Sequence, residues 1–98
     1  MLTSTTIALA DVEALNQRVM QLYGQGKYAE AIDVARQGLA EAQATLGPDH
    51  AITATSLNNL AGLYRAMGRY DEALPLYQRA LAIHEKALGP DHPGTATS

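Results

Sequence analysis

The chain has 98 residues, a formal net charge of -3 and no cysteine. A chain of this length forms one small domain that buries about 60–70% of the surface its unfolded form exposes, which leaves little space for an enclosed active site. The acidic balance excludes the electrostatic footprint of a nucleic-acid binder, and the absence of cysteine excludes a disulfide framework and thiolate chemistry.

Apolar residues recur every three or four positions and predict four helices in chain order. We expect these helices at about residues 6–24, 28–46, 51–67 and 70–88. Glycine follows or interrupts each one, as is typical of helix ends. In the first helix the expected apolar stripe is Ile7, Val12, Leu15, Val19 and Leu22.

The motif Gly-Pro-Asp-His follows the second and fourth helices, at residues 47–50 and 89–92. Glycine fits the position just past a helix end, and proline cannot continue the helix. We expect Asp49 to cap the third helix, and His50 and His92 to be turn or cap residues and not catalytic groups.

The fourth helix carries a second apolar pattern, interrupted early by Pro75. The apolar positions of this helix are Tyr70, Ala73, Leu74, Tyr77, Ala80, Leu81, His84 and Leu88. We expect His84 to be packed or half-exposed. We expect Leu74, Leu81 and Leu88 to be uncovered, because they belong to the last helix and no helix follows it.

The chain repeats itself after 42 residues, since residues 15–56 align with residues 57–98. Identical pairs include Leu15 with Leu57 and Gly26 with Gly68, and the whole segment Leu46-Gly-Pro-Asp-His returns at Leu88. A fixed period of this size indicates an array of helical repeats. Residues 93–98 copy the start of the third helix, so we expect the chain to be cut at a repeat boundary within a longer parent.

The second unit resembles a tetratricopeptide repeat (TPR). When Gly68 is placed between the two helices, the family's signature positions fall on Leu60, Ala61, Tyr64, Tyr70, Ala73, Tyr77 and Ala80. The resemblance implies an all-α fold of two tandem helix-turn-helix hairpins, stacked as a short right-handed α-solenoid. It divides the single domain 1–98 into a degenerate first repeat (6–47), a second repeat (49–89) and the truncated start of a third (90–98).

The 42-residue period and the PDHP segment resemble the kinesin light chain type of this repeat. That type also occurs widely in bacterial repeat proteins, so we expect a bacterial source. The first unit departs from the pattern, because Arg18, Ala35 and Gly38 stand where Leu60, Tyr77 and Ala80 stand in the second. It is similar to a degenerate or capping repeat, as terminal repeats often are.

The resemblance also implies a binding groove lined by the first helix of each hairpin. In the family, an asparagine before the Leu-Ala pair points into that groove and binds a peptide backbone or a terminal carboxylate. The positions implied here are Asn59, Asn58, Gly62 and Arg65 in the second unit and Asn16, Gln17, Met20 and Tyr23 in the first. The alternative is that Asn59 caps or bridges neighbouring repeats without touching a ligand.

No catalytic, metal or cofactor motif can be assembled from the sequence, so we expect no enzyme activity, cofactor or metal. The leading hypothesis is a scaffold module that binds a peptide or partner helix. The alternatives are self-association through exposed repeat ends, and an adaptor fragment of a larger signalling enzyme. We expect a cytoplasmic protein, in line with the absence of cysteine, whose partners are proteins. We expect no nucleic-acid partner because of the acidic balance, and no membrane partner because no apolar run approaches the ~20 residues of a membrane span.

Overall fold

The computed structural model describes residues 4–88, with side chains from residue 10 to residue 87. Four helices run through this range, which contains no strand: α1 (Ser4–Gly24), α2 (Tyr28–Leu46), α3 (Ala51–Ala66) and α4 (Tyr70–Leu88). The all-α prediction is confirmed. The third-repeat start at 90–98, with His92, lies outside the described residues.

Both hairpins turn in the same way. At the end of α1 the Lys27 amide donates to the Leu22 carbonyl at 2.9 Å, and at the end of α3 the Arg69 amide donates to the Tyr64 carbonyl at 2.7 Å. The residue just before the donor is a glycine with φ +76° in each case, Gly26 and Gly68. Only glycine adopts this left-handed conformation without strain, so the two turns share one helix-ending motif.

The connection between the hairpins corrects one expectation. His50, not Asp49, caps α3, since its Nδ1 accepts a hydrogen bond from the Ile52 amide at 3.0 Å. Asp49 instead forms an ion pair with Lys86 of α4 at 2.8 Å. The Thr53 hydroxyl donates to the Gly47 carbonyl at 2.7 Å, which ties the start of α3 to the end of α2.

Helix α1 packs on α2, α3 packs on α4, and α2 packs on α3, while α1 also touches α3. Small residues allow these close approaches, because Ala31, Ala35, Ala61 and Ala73 are all buried at the helix contacts. Larger side chains fill the space between them: Val19, Leu22, Ile32, Leu60, Leu63 and Tyr64. A second cluster joins α3 to α4 through Ala54, Leu57, Ala80 and Ile83.

The predicted stripe of α4 has a buried part and an exposed part, and Leu88 lies outside the described side chains. Ala73 and Ala80 are buried as expected, and the helix continues through Pro75. Tyr70, Leu74 and Leu81, however, are 64%, 58% and 55% exposed, while Leu76 and Ile83 face the core. The reason is that α4 packs on α3 along one face only, and no described helix covers the opposite face.

The predicted stripe of α1 holds with one exception among the described side chains, and Ile7 lies outside them. Val12, Val19 and Leu22 of α1 are buried, whereas Leu15 is only half-buried. His84 is half-buried, in line with its predicted role. None of the described helices combines the length and the apolar character needed to cross a membrane.

Candidate functional site

The most site-like feature is a groove between the first helices of the two hairpins, which we call the α1–α3 groove. It holds a cavity of about 150 Å³ lined by Val19, Met20 and Tyr23 of α1 and Asn58, Asn59 and Gly62 of α3. A cavity of this volume accommodates a group about the size of benzene. The groove therefore offers space for one apolar side chain of a ligand.

The side of the groove formed by α1 is apolar, and its deepest residue belongs to the core. Val19 belongs to the core and forms the floor, while Met20 and Tyr23 are 62% and 44% exposed. The Tyr23 ring packs edge-on against Tyr28 of α2, with the ring centroids 5.4 Å apart. Sequence analysis assigned Val19 to the core alone; its four-residue spacing from Tyr23 is the signal that it also borders the groove.

The α3 wall is polar and open. Asn58 and Asn59 are half-buried, and neither forms a side-chain hydrogen bond with another described residue. Each amide offers both donors and an acceptor. Gly62 leaves a gap, because a Cβ atom there would find only the Tyr77 hydroxyl, at 3.7 Å. The wall can thus bind a peptide backbone while a side chain enters beside Gly62.

Arg65 lies outside this groove, beside a separate cavity at the open end of the second hairpin, the α4 end cavity. Its lining is Arg65, Tyr70, Asp71, Ala73, Leu74 and Tyr77, and its volume is about 250 Å³. Arg65 is exposed and forms no ion pair with another described residue. Its guanidinium is therefore free to meet a ligand carboxylate, next to the groove but not within it.

Asn16 occupies a different place from the other predicted site residues. Its Oδ1 accepts a hydrogen bond from the Ser56 hydroxyl at 3.2 Å, and a Cβ atom on Gly38 would approach that oxygen to 3.3 Å. Asn16 therefore bridges α1 and α3 over α2, the structural role that the sequence offered as an alternative for Asn59. Gln17 is exposed and lines neither the α1–α3 groove nor the α4 end cavity.

The outer side of the first hairpin carries a third cavity, the N-terminal cavity, with a volume of about 390 Å³. It is lined by Asp11, Ala14, Leu15, Arg18 and Glu41. Three of these five side chains are charged, in contrast to the α1–α3 groove. The N-terminal cavity and the α1–α3 groove thus differ in chemistry.

The described side chains whose pKa values are shifted form ion pairs on the surface and do not line the α1–α3 groove. Arg69 donates two hydrogen bonds of 2.7 Å to Glu72, which lower the pKa of the Glu72 carboxyl and raise that of the guanidinium. Arg69 also lies 4.6 Å above the Tyr64 ring. The Lys86 pKa is raised by its hydrogen bond to Asp49. These exposed pairs lie at the start of α4 and at its contact with the inter-hairpin turn.

Within the described residues, no group of three or more His, Asp or Glu side chains is placed to hold a metal ion. The sequence profile of the tetratricopeptide repeat family matches residues 11–86 and, in a second alignment, residues 54–98. No curated protein matches the chain significantly. The chain therefore belongs to the tetratricopeptide repeat family, whose repeats are non-catalytic modules that bind protein partners.

Proposed function

We propose that this tetratricopeptide repeat protein binds an extended peptide in the α1–α3 groove. An apolar side chain of the peptide enters the cavity of about 150 Å³, and the amides of Asn58 and Asn59 bind its backbone. The observation that carries the proposal is that five of the eight sequence-predicted residues line one cavity: Met20, Tyr23, Asn58, Asn59 and Gly62.

The chemistry of the lining defines the ligand. No carboxylate, guanidinium or ammonium group of the described residues lines the cavity, so a charged side chain would lose hydration there without gaining a partner. Arg65 stands one turn beyond Gly62 on α3 and supplies an exposed cation. The preferred peptide therefore has an apolar residue in the cavity and a carboxylate, from an acidic side chain or a C-terminus, a short distance away.

A selection from a random library of 12-residue peptides tests this function. The highest-affinity selected peptide is measured by isothermal titration against the wild type and against Asn59→Ala. We expect the substitution to weaken binding about tenfold, as loss of one hydrogen bond to a peptide does. Gln37→Ala, at an exposed site on α2, is the matched control and leaves the affinity unchanged.

A steric variant separates groove binding from general damage. Gly62→Met places in the second unit the side chain that the first unit carries at Met20, and it fills the cavity beside Asn59. Gly62→Ala controls for the change in helix propensity, since its Cβ atom meets only ordinary contact at 3.7 Å. Binding that survives Gly62→Met undiminished, or a selection that enriches no peptide, contradicts the proposal.

A second function, homo-oligomerisation through the open end of the repeat array, is favoured by a separate observation. Leu74 and Leu81 are more than half exposed on α4, although leucines in helical repeats normally lie against a neighbouring helix. Association stabilises the folded form by mass action, so the melting temperature should rise with protein concentration. A melting temperature that stays constant over a hundredfold range of concentration argues against this function.

Three finer assignments complete the proposal. The 42-residue period and the Gly-Pro-Asp-His turn support the kinesin light chain type and a bacterial origin. This assignment is tested by scoring the chain with two sequence profiles, one built from repeats of the kinesin light chain type alone and one built from tetratricopeptide repeats in general. The absence of cysteine supports a cytoplasmic location, and cell fractionation tests it.

An adaptor role in a larger signalling enzyme is tested by identifying the natural parent chain.

A further inference from the structure

The outer face of α4 carries a continuous stripe at helical spacing, which we call the α4 stripe. It consists of Tyr70, Leu74, Gln78, Leu81 and Glu85, four, four, three and four positions apart. Its three large apolar members are the side chains exposed by 64%, 58% and 55%. A helix that presents such a stripe to water has an apolar surface available for another helix.

The first hairpin shows what this surface is shaped to bind. Tyr28, Ile32 and Leu39 occupy the positions of Tyr70, Leu74 and Leu81, 42 residues earlier. There α3 packs on α2, so that Ile32 is only 6% exposed and Leu39 joins both core clusters. The α4 stripe is therefore the same helix-binding surface without a described helix on it.

The opposite end of the molecule cannot supply that helix. A head-to-tail stack would place the outer face of α1, around the N-terminal cavity, on the α4 stripe. The N-terminal cavity is lined by Asp11 and Arg18 of α1 beside Ala14, and by Glu41 of α2. Burying these charges against leucines would cost their hydration, so a repeating filament of this chain is disfavoured.

The stripe is, however, complementary to itself when two copies are antiparallel. With a two-fold axis near residues 77 and 78, Leu74 meets the partner's Leu81, and the Tyr70 hydroxyl meets the carboxylate of Glu85 of the partner subunit. Gln78 then lies beside the axis, where two amides can bond to each other. A two-fold interface of this kind uses the same patch on both subunits and closes after two.

We propose that two copies of this chain form a symmetric dimer by antiparallel packing of their α4 stripes. This inference rests on the second proposed function and adds the geometry and the closed stoichiometry. One helix face buries less than the ~800 Å² per partner of a standard interface, which is typical of weak or transient contacts, so we expect the dimer to be transient. The α1–α3 groove stays open in both subunits.

A charge exchange tests the geometry. Leu74→Glu and Leu81→Lys each place a charge opposite a leucine of the partner and should weaken dimerisation at least tenfold in sedimentation velocity. In the double variant Leu74→Glu/Leu81→Lys, the new carboxylate at position 74 faces the partner's new ammonium group at position 81, at both ends of the interface. This variant should recover most of the association and become sensitive to salt. Leu74→Glu/Leu81→Glu is the matched control and stays monomeric.

The absence of cysteine from the chain allows a second measurement. Gln78→Cys should form an intermolecular disulfide with itself in a glutathione buffer, because the two sulfur atoms lie beside the axis. Gln21→Cys, exposed on α1, is the control and should not. A disulfide that forms only when the two variants are mixed would show head-to-tail stacking and would overturn the proposal.

The outcomes separate the geometry from self-association itself. A wild-type dimer that the double variant fails to restore contradicts the antiparallel arrangement but leaves the second proposed function intact. A wild type that remains monomeric at millimolar concentration contradicts both. If Leu74 and Leu81 are then protected from solvent in that monomer, the occupant of the stripe is the chain after Leu88 and not a second copy.

Discussion

The two hairpins place similar side chains at equivalent positions of their second helices, yet those side chains have different surroundings. In the first hairpin Ile32 of α2 is covered by α3 and is 6% exposed. In the second hairpin Leu74 of α4 stands 42 residues later and is 58% exposed. The difference lies in the neighbouring helix, and it makes one surface part of the core and the other a candidate interface.

The first helices of the two hairpins, α1 and α3, also differ at an equivalent position, but here the exposed side chain belongs to the first hairpin. Helix α1 is the degenerate one, with Arg18 where α3 has Leu60, and its outer side is charged around the N-terminal cavity. That substitution places an exposed charged side chain on α1, while α3 packs against the other three helices and buries Leu60 to 4% exposure. The described side chains at this equivalent position thus suit solvent in α1 and a helix contact in α3.

The largest expected effect compares the two equivalent side chains directly. Ile32→Ala should lower the free energy of unfolding by about 3 kcal/mol, because it removes a buried side chain and leaves a cavity. Leu74→Ala should change it by less than about 0.5 kcal/mol at low concentration, where the monomer prevails. Urea denaturation of both variants measures the difference, and equal losses would contradict the contrast in burial.

The hairpin turns should respond alike, since both hairpins share them. Gly26→Ala and Gly68→Ala each place a Cβ atom on a backbone with φ +76°, and each should cost about 1 kcal/mol. Gly24→Ala is the control, because Gly24 is helical with open space around it and alanine should gain up to about 0.5 kcal/mol there. If thermal unfolding shows that Gly24→Ala destabilises the protein as much as Gly26→Ala and Gly68→Ala do, the helix-ending role of Gly26 and Gly68 is ruled out.

A smaller effect on the free energy of unfolding is expected from Gly38→Ala, which gives the first unit the residue that the second unit has at Ala80. Alanine at 38 gains about 0.5–1 kcal/mol of helix propensity but presses on the Asn16 oxygen at 3.3 Å, so the net change should be near zero. In an Asn16→Ala background the same change should stabilise by the full amount. A double-mutant cycle with no coupling would show that Asn16 does not limit this helix contact.

The smallest effect concerns the ion pair that only the second hairpin forms. Arg69 binds Glu72, whereas Lys27 and Glu30 at the equivalent positions form no ion pair in the described structure. Because the folded-state pKa of Glu72 is lowered, its contribution is present above the unfolded pKa of about 4.3 and is lost as the pH falls through the folded value.

Glu72→Gln should therefore flatten the loss of stability on acidification, measured by urea denaturation between pH 6 and pH 2. The contribution is small because both side chains are exposed and water screens the pair. Glu30→Gln is the matched control, since it breaks no ion pair. An identical acid profile for the wild type and Glu72→Gln would show that the pair does not act in solution.

Helix positions followed closely from the sequence, because periodicity and glycine punctuation act locally. The predicted ranges of α2 and α4 match the structure, while α1 begins at Ser4 instead of near Thr6 and α3 ends at Ala66 instead of Met67. The exposure of Leu74 and Leu81 agrees with the expectation that the last helix is uncovered, but periodicity alone did not separate these side chains from the buried Ala73 and Ala80. Only the arrangement of neighbouring helices distinguishes a covered face from an open one.

The candidate site followed in part. Family resemblance pointed to eight residues, and five of them line one cavity: Met20, Tyr23, Asn58, Asn59 and Gly62. It also pointed to Asn16, but the side chain of this residue on α1 accepts a hydrogen bond from the Ser56 hydroxyl on α3. The cap of α3 fell on His50 instead of Asp49 because an imidazole nitrogen reached the Ile52 amide, while Lys86, 37 residues away, paired with Asp49.

Sedimentation equilibrium of the wild-type chain tests the contrast between the two hairpins most directly. If the outer face of α4 is an interface, the mass rises from 10.4 kDa toward twice that value as the concentration increases, and it stops there. A mass of 10.4 kDa at every concentration would contradict the claim that this face binds a second copy. A mass that grows beyond the dimer would contradict the proposed symmetry.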